Sequence, residues 1–406
     1  MKKNIAFIFP VSRKMGIFQY MLSITEAMAN YCIDFDYTVL YFGSNSPKNY
    51  LKVNNMEVVK FLSIDGKPNN IIGKLKTIAN ILISRPIFVI KKSNKETLKK
   101  NKIDLLITPS PLLFGFENNI PYIVPIPDMM YKYYPNFPEY SFWNRIISQI
   151  VFKYSAKYAA LCIADSTWGK NDIKKFLNKS DDQINVIPFL PAGYVHNYKN
   201  MTKEEADYIL KKFKLPEKFV FYPAQFWAHK NHINLIKSIK AAEEKHGQKI
   251  QLVLVGDDKA NAENYKELMD LAKSFGIKDR IIHLGYVSDE EIVALYKKAT
   301  ALVFASVGGP TNIPIVEAMF LGTPVVCPNL FAMPEQTGVA GVFFDPFNPD
   351  DMAEKISKVW QDEILRQQMI QKGYEKVENF TFEIYADQWI AAVKKALENE
   401  KINRDN

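Results

Sequence analysis

The chain has 406 residues, nearly half of them apolar and about a quarter charged, with a formal net charge of +8. That length exceeds one ordinary core and predicts two domains of roughly 150–200 residues each. No run reaches the roughly 18 uninterrupted apolar residues of a membrane span. The opening apolar run reads as a strand rather than a secretory signal. Cys32, Cys162 and Cys327 stand apart without metal spacing and read as reduced, buried thiols, so the expected location is cytoplasmic.

The charge is uneven. Residues 1–200 hold 26 Lys/Arg and 14 Asp/Glu, a net of +12, and residues 201–406 hold 26 and 30, a net of −4. A basic first half beside an acidic second half points to an anionic partner for the first half. Residues 74–102 concentrate this charge, with nine Lys/Arg and one Glu among interleaved apolar residues. They read either as a solvated basic helix pair or as a docking surface for anionic lipid.

In chain order, strands are predicted at 4–10, 36–43, 58–64, 103–110, 122–127, 159–166 and 184–189, with an amphipathic helix at 18–31. A second set follows at 218–225, 250–258, 280–287, 301–306 and 323–329, and helical patterns separate nearly all of these strands. Such alternation predicts parallel sheets covered by helices. The polar junction near 190–217 carries Pro and Gly and reads as the hinge. The last segment, 380–401, is predicted as a long helix. The expected architecture is α/β, with two doubly wound Rossmann-like domains facing a cleft. The expected boundaries are 1–195, 196–379 and a terminal helix at 380–406.

Ligands of doubly wound sheets bind outside the carboxyl ends of the strands, so the loops there are the candidate sites. In "FASVGGPTNIPIVEAM" (304–319) a strand end runs through Gly308 and Gly309 into a helix that the sequence starts at Pro314. The amides of Thr311, Asn312 and Ile313 beside Pro310 suit an anion. The glycines allow close backbone approach. Glu317, placed in the first helical turn, could accept from ribose hydroxyls. The same stretch also reads as a plain strand–loop–helix turn with a surface Glu favoured by the helix dipole.

In "FYPAQFWAHKNH" (221–232) a strand ends at Gln225, and Lys230 with Asn231 opens the next helix. Lys230 there reads as a phosphate contact or as an exposed first-turn Lys. "LGYVSDEEIVALYKKA" (284–299) holds a Ser288–Glu291 capping box. The loop before it, with Tyr286 and Val287, could present backbone groups to a base. Asp128, at the end of a strand in the first half, leads into an aromatic, Pro-rich stretch that could line an acceptor site. Gly16 sits between the first strand and first helix, where a phosphate could approach. "DFD" (34–36) has the look of a metal motif but precedes its strand and reads as a solvated turn. No His precedes His196, so the first half offers no His base or His metal ligand.

Together these stretches resemble the GT-B glycosyltransferases, and within them glycosyltransferase family 4. "PAQFWAHKNH" with "GPTNIP" is most similar to a subgroup described as mannosyltransferases. The resemblance implies that Glu317 holds the ribose, that Lys230 meets the diphosphate, and that the terminal helix crosses back to the first domain. It also implies catalytic roles for Lys230, Glu317 and Asp128. Three positions depart from the family pattern: Gly309 stands where a sugar-facing Glu is usual, Gln225 where Arg is usual, and Pro127 where His is usual. The implied function is a retaining, metal-independent hexosyltransferase without cofactor, with mannose from GDP-mannose as the first donor considered. The acceptor would be a saccharide or lipid-linked saccharide at the inner membrane face, and no nucleic acid is implied. A GT-B sugar-nucleotide epimerase and a non-catalytic glycan- or nucleotide-binding relative remain alternatives.

Overall fold

The computed structural model describes residues 2–10, 16–43, 46–54, 59–64, 76, 79, 83, 92–259, 261–309 and 311–405, with side chains to 399. The chain forms two compact units. One comprises Met1–Met129, Phe142–Leu190 and Phe380–Asn406, and the other comprises Met130–Ser141 and Pro191–Asn379. The segment Met130–Ser141 therefore groups with the second unit, although the sequence reading placed it within 1–195.

The first unit is built on seven strands: β1 (Lys3–Ile8), β2 (Phe35–Phe42), β3 (Val59–Ile64), β4 (Ile103–Ile107), β5 (Tyr122–Pro125), β6 (Leu161–Ala164) and β7 (Ile184–Val186). They pair in parallel in the order β3-β2-β1-β4-β5-β6-β7. Ile5, Ala6, Phe7 and Ile8 of β1 are all fully buried. An unbroken apolar run is what a strand covered on both faces requires.

The helix Gly16–Tyr31 buries Phe18, Met21, Ile24 and Met28 against this core. The C-terminal helix Phe382–Asp405 joins the same core. Its Trp389 is fully buried and lies edge-on to Tyr20 and Tyr385. Lys395 Nζ donates to Asn185 Oδ1 at 2.9 Å, and Asn399 Nδ2 donates to the Ala160 carbonyl at 3.1 Å. These polar contacts fix how the helix sits on the β6–β7 side.

The second unit holds β8 (Val220–Pro223), β9 (Leu252–Val255), β10 (Ile281–His283), β11 (Ala301–Val303), β12 (Val325–Pro328) and β13 (Gly341–Phe344). They form a parallel sheet in the order β10-β9-β8-β11-β12-β13. The two doubly wound sheets expected from the alternating pattern are present. β13 is the strand the sequence reading missed. It is four residues long and mostly half-buried, too short for either periodicity to register.

Two local details differ from the sequence reading. β2 begins at Phe35, one residue before the predicted start, so Phe35 and the exposed Asp36 of "DFD" lie in the strand rather than in a turn before it. The helix after β11 starts at Ile313, so Pro314 is its second residue and Glu317 falls beyond its first turn. The three cysteines are buried free thiols. Among the described residues no helix is long and apolar enough to cross a membrane, and no group of three or more His, Cys, Asp or Glu could hold a metal ion.

Candidate functional site

In the second sheet the chain lays β9 and β10 on one side of β8, and β11 to β13 on the other. The winding direction therefore reverses between β8 and β11, which pair directly through Ala301–Val220 and Leu302–Phe221. A crevice outside the carboxyl ends of strands at such a reversal is where open α/β sheets bind ligands. The two loops that leave those ends are 224–231 and 304–312, the stretches that carry Gln225, Lys230 and Gly309.

The loops are laced together. The Val307 amide donates to the His229 carbonyl at 2.9 Å, and Asn231 Nδ2 donates to the Ala305 carbonyl at 3.2 Å and the Pro346 carbonyl at 2.8 Å. Asn231 sits in the left-handed region at φ 59°, a conformation Asn tolerates better than most side chains, and it opens the helix His232–His246. The fully buried Tyr222 donates from its hydroxyl to the Lys230 carbonyl at 2.9 Å, fixing that residue's backbone from below. Lys230 Nζ lies 3.5 Å from Ser306 Oγ and over the Phe304 ring. The half-buried ammonium is thus held between the two loops at the reversal.

Further along the same edge, Gln225 Oε1 accepts from the Asp257 amide at 3.0 Å, and the Gly256 amide donates to the Gly285 carbonyl at 3.2 Å. A Cβ at Gly256 would stand 2.5 Å from the Ala224 carbonyl oxygen, so only Gly fits there. The ends of β11, β8, β9 and β10 are thereby stitched in a row. Val287, in the loop after β10, is buried, whereas Tyr286 is 81% exposed. The expected Ser288–Glu291 capping box is formed, with Ser288 Oγ accepting from the Glu291 amide and Glu291 Oε2 accepting from the Ser288 amide.

Beyond Gly309, at φ +86°, the loop enters the helix Ile313–Leu321. The Asn312 amide, counted from sequence as an anion donor, donates instead to Gln336 Oε1 at 3.0 Å, and Gln336 Nε2 donates back to the Asn312 carbonyl at 2.8 Å. Thr311 and Asn312 are buried. Pro310 lies outside the described residues.

Glu317 is not a surface residue. It is 3% exposed, and its two oxygens accept from Tyr194 at 2.7 Å and Tyr296 at 2.9 Å. Burial pushes its carboxyl above the ordinary range, while the two tyrosine hydroxyls favour its charged form. Sequence reasoning missed both tyrosines. Tyr296 lies on the buried face of the helix Asp289–Lys298, and Tyr194 on the short helix Gly193–Tyr198.

The histidines of this region divide by role. His232 is buried between Tyr222 and Phe226, and burial pushes its imidazole down to about 3. His283 Nε2 lies 2.9 Å from the Gly256 carbonyl, and its ring packs edge-on to Phe226 and tilted against Tyr265. Both support the loops from beneath. Gly16 and Asp128 belong to the first unit. Gly16 opens its helix at an exposed position where a Cβ would meet nothing within 4 Å. Asp128 is half-buried, three residues beyond β5.

Residues 206–376 match the family described as glycosyl transferases group 1. The chain has the fold of the GT-B glycosyltransferases. The chain is 27% identical over 237 residues to the O-antigen chain mannosyltransferase B of Escherichia coli, covering 58% of this chain and 61% of the relative. It is 26% identical over 257 residues to the O-antigen chain mannosyltransferase RfbU of Salmonella typhimurium, covering 63% and 64%. The matched stretch thus spans about six-tenths of these curated relatives. By fold it is similar to Anabaena Alr3699/HepE, solved in complex with UDP and glucose, with a TM-score of 0.74, 17% identity and coverage of 97% and 99%.

Proposed function

We propose that the chain moves a hexose from a nucleotide-sugar to a saccharide acceptor in surface polysaccharide or glycolipid synthesis, with retention and without a metal. Mannose from GDP-mannose is the first donor to test, because the relatives named above are mannosyltransferases. The observation that carries this reading is the position of Lys230, held between two loops where the strand order of the second sheet reverses. An ammonium there would neutralise the departing diphosphate, and the N-terminus of the helix His232–His246 would add its positive end.

Glu317 would hold the ribose. A carboxylate has about four lone-pair sites; two tyrosines and the Ala192 backbone amide favour its charged form, which leaves capacity for one ribose hydroxyl. Gln225, Asn231, Tyr286, Val287, Gly309, Thr311 and Ile313 would complete the donor site, and Asp128 in the first unit would serve the acceptor. The acceptor hydroxyl would attack from the face that the nucleotide leaves, with the departing phosphate taking its proton.

Peripheral contact with an anionic membrane is part of the same proposal. Of the basic segment 74–102, residues 74, 75, 77, 78, 80–82 and 84–91 lie outside the described residues. Its remainder includes the helix Lys92–Lys100, with Lys92, Lys95, Lys99 and Lys100 exposed. A second feature supports the reading. On the helix Phe142–Tyr158, the apolar side chains of Phe142, Trp143, Ile147 and Ile150 are exposed, and Lys153 and Lys157 follow on the same helix.

The test is incubation with a panel of nucleotide-sugars, with and without saccharide acceptors, followed by assay of free nucleotide. Release that requires an acceptor supports transfer. Conversion of the sugar without an acceptor, or no turnover with any donor, contradicts it.

A further inference from the structure

A carboxylate–imidazole pair, Glu139 with His229, lies beside Lys230 and has no part in the reading above. Glu139 comes from Met130–Ser141, the short segment that joins the second unit. Its Oε1 lies 3.1 Å from His229 Nδ1 and accepts the His229 backbone N–H at 3.3 Å. The other oxygen, Oε2, is buried and has no hydrogen-bond partner among the described residues. Leaving such an atom unmet in a folded protein is costly, so it marks a place where a further donor is expected.

The protonation pattern follows from the surroundings. Burial and then the neighbouring Lys230 push the His229 imidazole down, so the ring is neutral near pH 7. Burial opposes a charge on Glu139, but hydrogen bonds from backbone amides and from the His229 ring outweigh it and hold the carboxyl below its ordinary value. A neutral ring facing a carboxylate carries its proton on Nδ1 and donates it. Nε2 is then an acceptor.

Geometry places that acceptor on the glycine loop. A Cβ at Gly308 would stand only 2.8 Å from His229 Cδ2, the ring atom bonded to Nε2. Gly308 and Gly309 bring no side chain over this edge of the imidazole. Lys230, the next residue, reaches Ser306 in the same loop. A group bound to a diphosphate on Lys230 would therefore lie within reach of His229 and the Gly308–Gly309 backbone.

We propose that His229, oriented by Glu139, accepts a hydrogen bond from a hydroxyl of the sugar being transferred, and so helps to select the donor. This rests on the nucleotide-sugar reading of the site. Glu139 is a positioning residue that holds the His229 ring through Nδ1.

The test compares GDP with GDP-mannose, and UDP with UDP-glucose, by titration calorimetry. His229→Ala, and His229→Phe, which keeps a ring without an acceptor, should weaken the nucleotide-sugar about tenfold while changing the nucleoside diphosphate less than about twofold. Glu139→Ala should weaken the nucleotide-sugar in the same selective way, and Glu139→Gln, which can still accept from Nδ1–H, should restore most of the loss. Equal weakening of diphosphate and nucleotide-sugar by His229→Phe, or no change in either, overturns the proposal. If the unaltered protein binds neither member of either pair, the nucleotide-sugar reading itself is overturned and this inference with it.

Discussion

Lys230 joins two loops that lie 76 residues apart in the chain, and a single ammonium is asked to meet a diphosphate. A charge-assisted contact of this kind is worth about 1.5–3 kcal/mol. Lys230→Ala should therefore weaken nucleoside diphosphate binding by about 10- to 100-fold, with the circular dichroism spectrum unchanged. Unchanged affinity would remove Lys230 from the site. Glu317 combines two duties. Glu317→Ala should weaken nucleotide binding, and it should also destabilise the second unit by about 1–3 kcal/mol, because the buried Tyr194 and Tyr296 hydroxyls lose their acceptor. Glu317→Gln retains an acceptor and should be milder on both measures in denaturant titrations and calorimetry. A Glu317→Ala variant as stable as the wild type would contradict the buried geometry.

The candidate residues Lys230 and Glu317 were legible because each sits at a fixed offset from a strand end, and that offset survives in a linear reading. Their partners were not legible. Tyr194 reaches Glu317 across 123 residues and Glu139 reaches His229 across 90, and no local pattern encodes such pairings.

At the scale of elements, the strand ends and the capping box at Ser288 were readable from turn residues and apolar runs. β13 was not, because four residues, three of them half-buried, carry no period. The starting residue of the helix Ile313–Leu321 was misplaced by one, since Pro is accommodated at either of the first two positions. That single shift takes Glu317 out of the first turn, and its burial comes from packing against Tyr194 and Tyr296 of two other helices.

The helix Gly16–Tyr31 holds a further buried carboxyl that the apolar pattern hides. Glu26 is 6% exposed, and its Oε1 accepts from the Lys52 amide at 2.6 Å. Burial outweighs that bond and pushes its carboxyl up to about 7 from 4.5. The folded state thus binds a proton more tightly than the unfolded one. Its stabilising effect is complete below pH 4.5 and is lost as pH rises through 7, an effect of about 3 kcal/mol. Glu26→Gln keeps the acceptor without the charge. Relative to this variant, the wild type should lose stability in the first unit's unfolding transition between pH 4.5 and 8. Parallel pH curves for the two proteins would show that Glu26 titrates normally.

At the scale of the whole molecule, the alternation of strands and helices was enough to read two doubly wound sheets, because each buried parallel strand must be an apolar run and each crossover an amphipathic helix. The grouping of Met130–Ser141 with the second unit was not readable, since it depends on contacts made far along the chain. The uneven charge bears on partners rather than fold. Each exposed basic residue near an anionic bilayer is worth about 1 kcal/mol. Binding to vesicles should rise with anionic lipid content and fall with salt, and it should weaken when Lys92, Lys99 and Lys100 become Gln. Equal partitioning onto neutral and anionic vesicles would leave those residues as solvated surface.

The central claim is that a nucleotide-sugar sits where the second sheet reverses its winding. Hydrogen–deuterium exchange of the unaltered protein, with and without GDP-mannose or UDP-glucose, tests this most directly. The account predicts slowed exchange in 224–231 and 304–313 on addition of the bound donor. Protection confined to other segments, with those two loops unchanged, would contradict it.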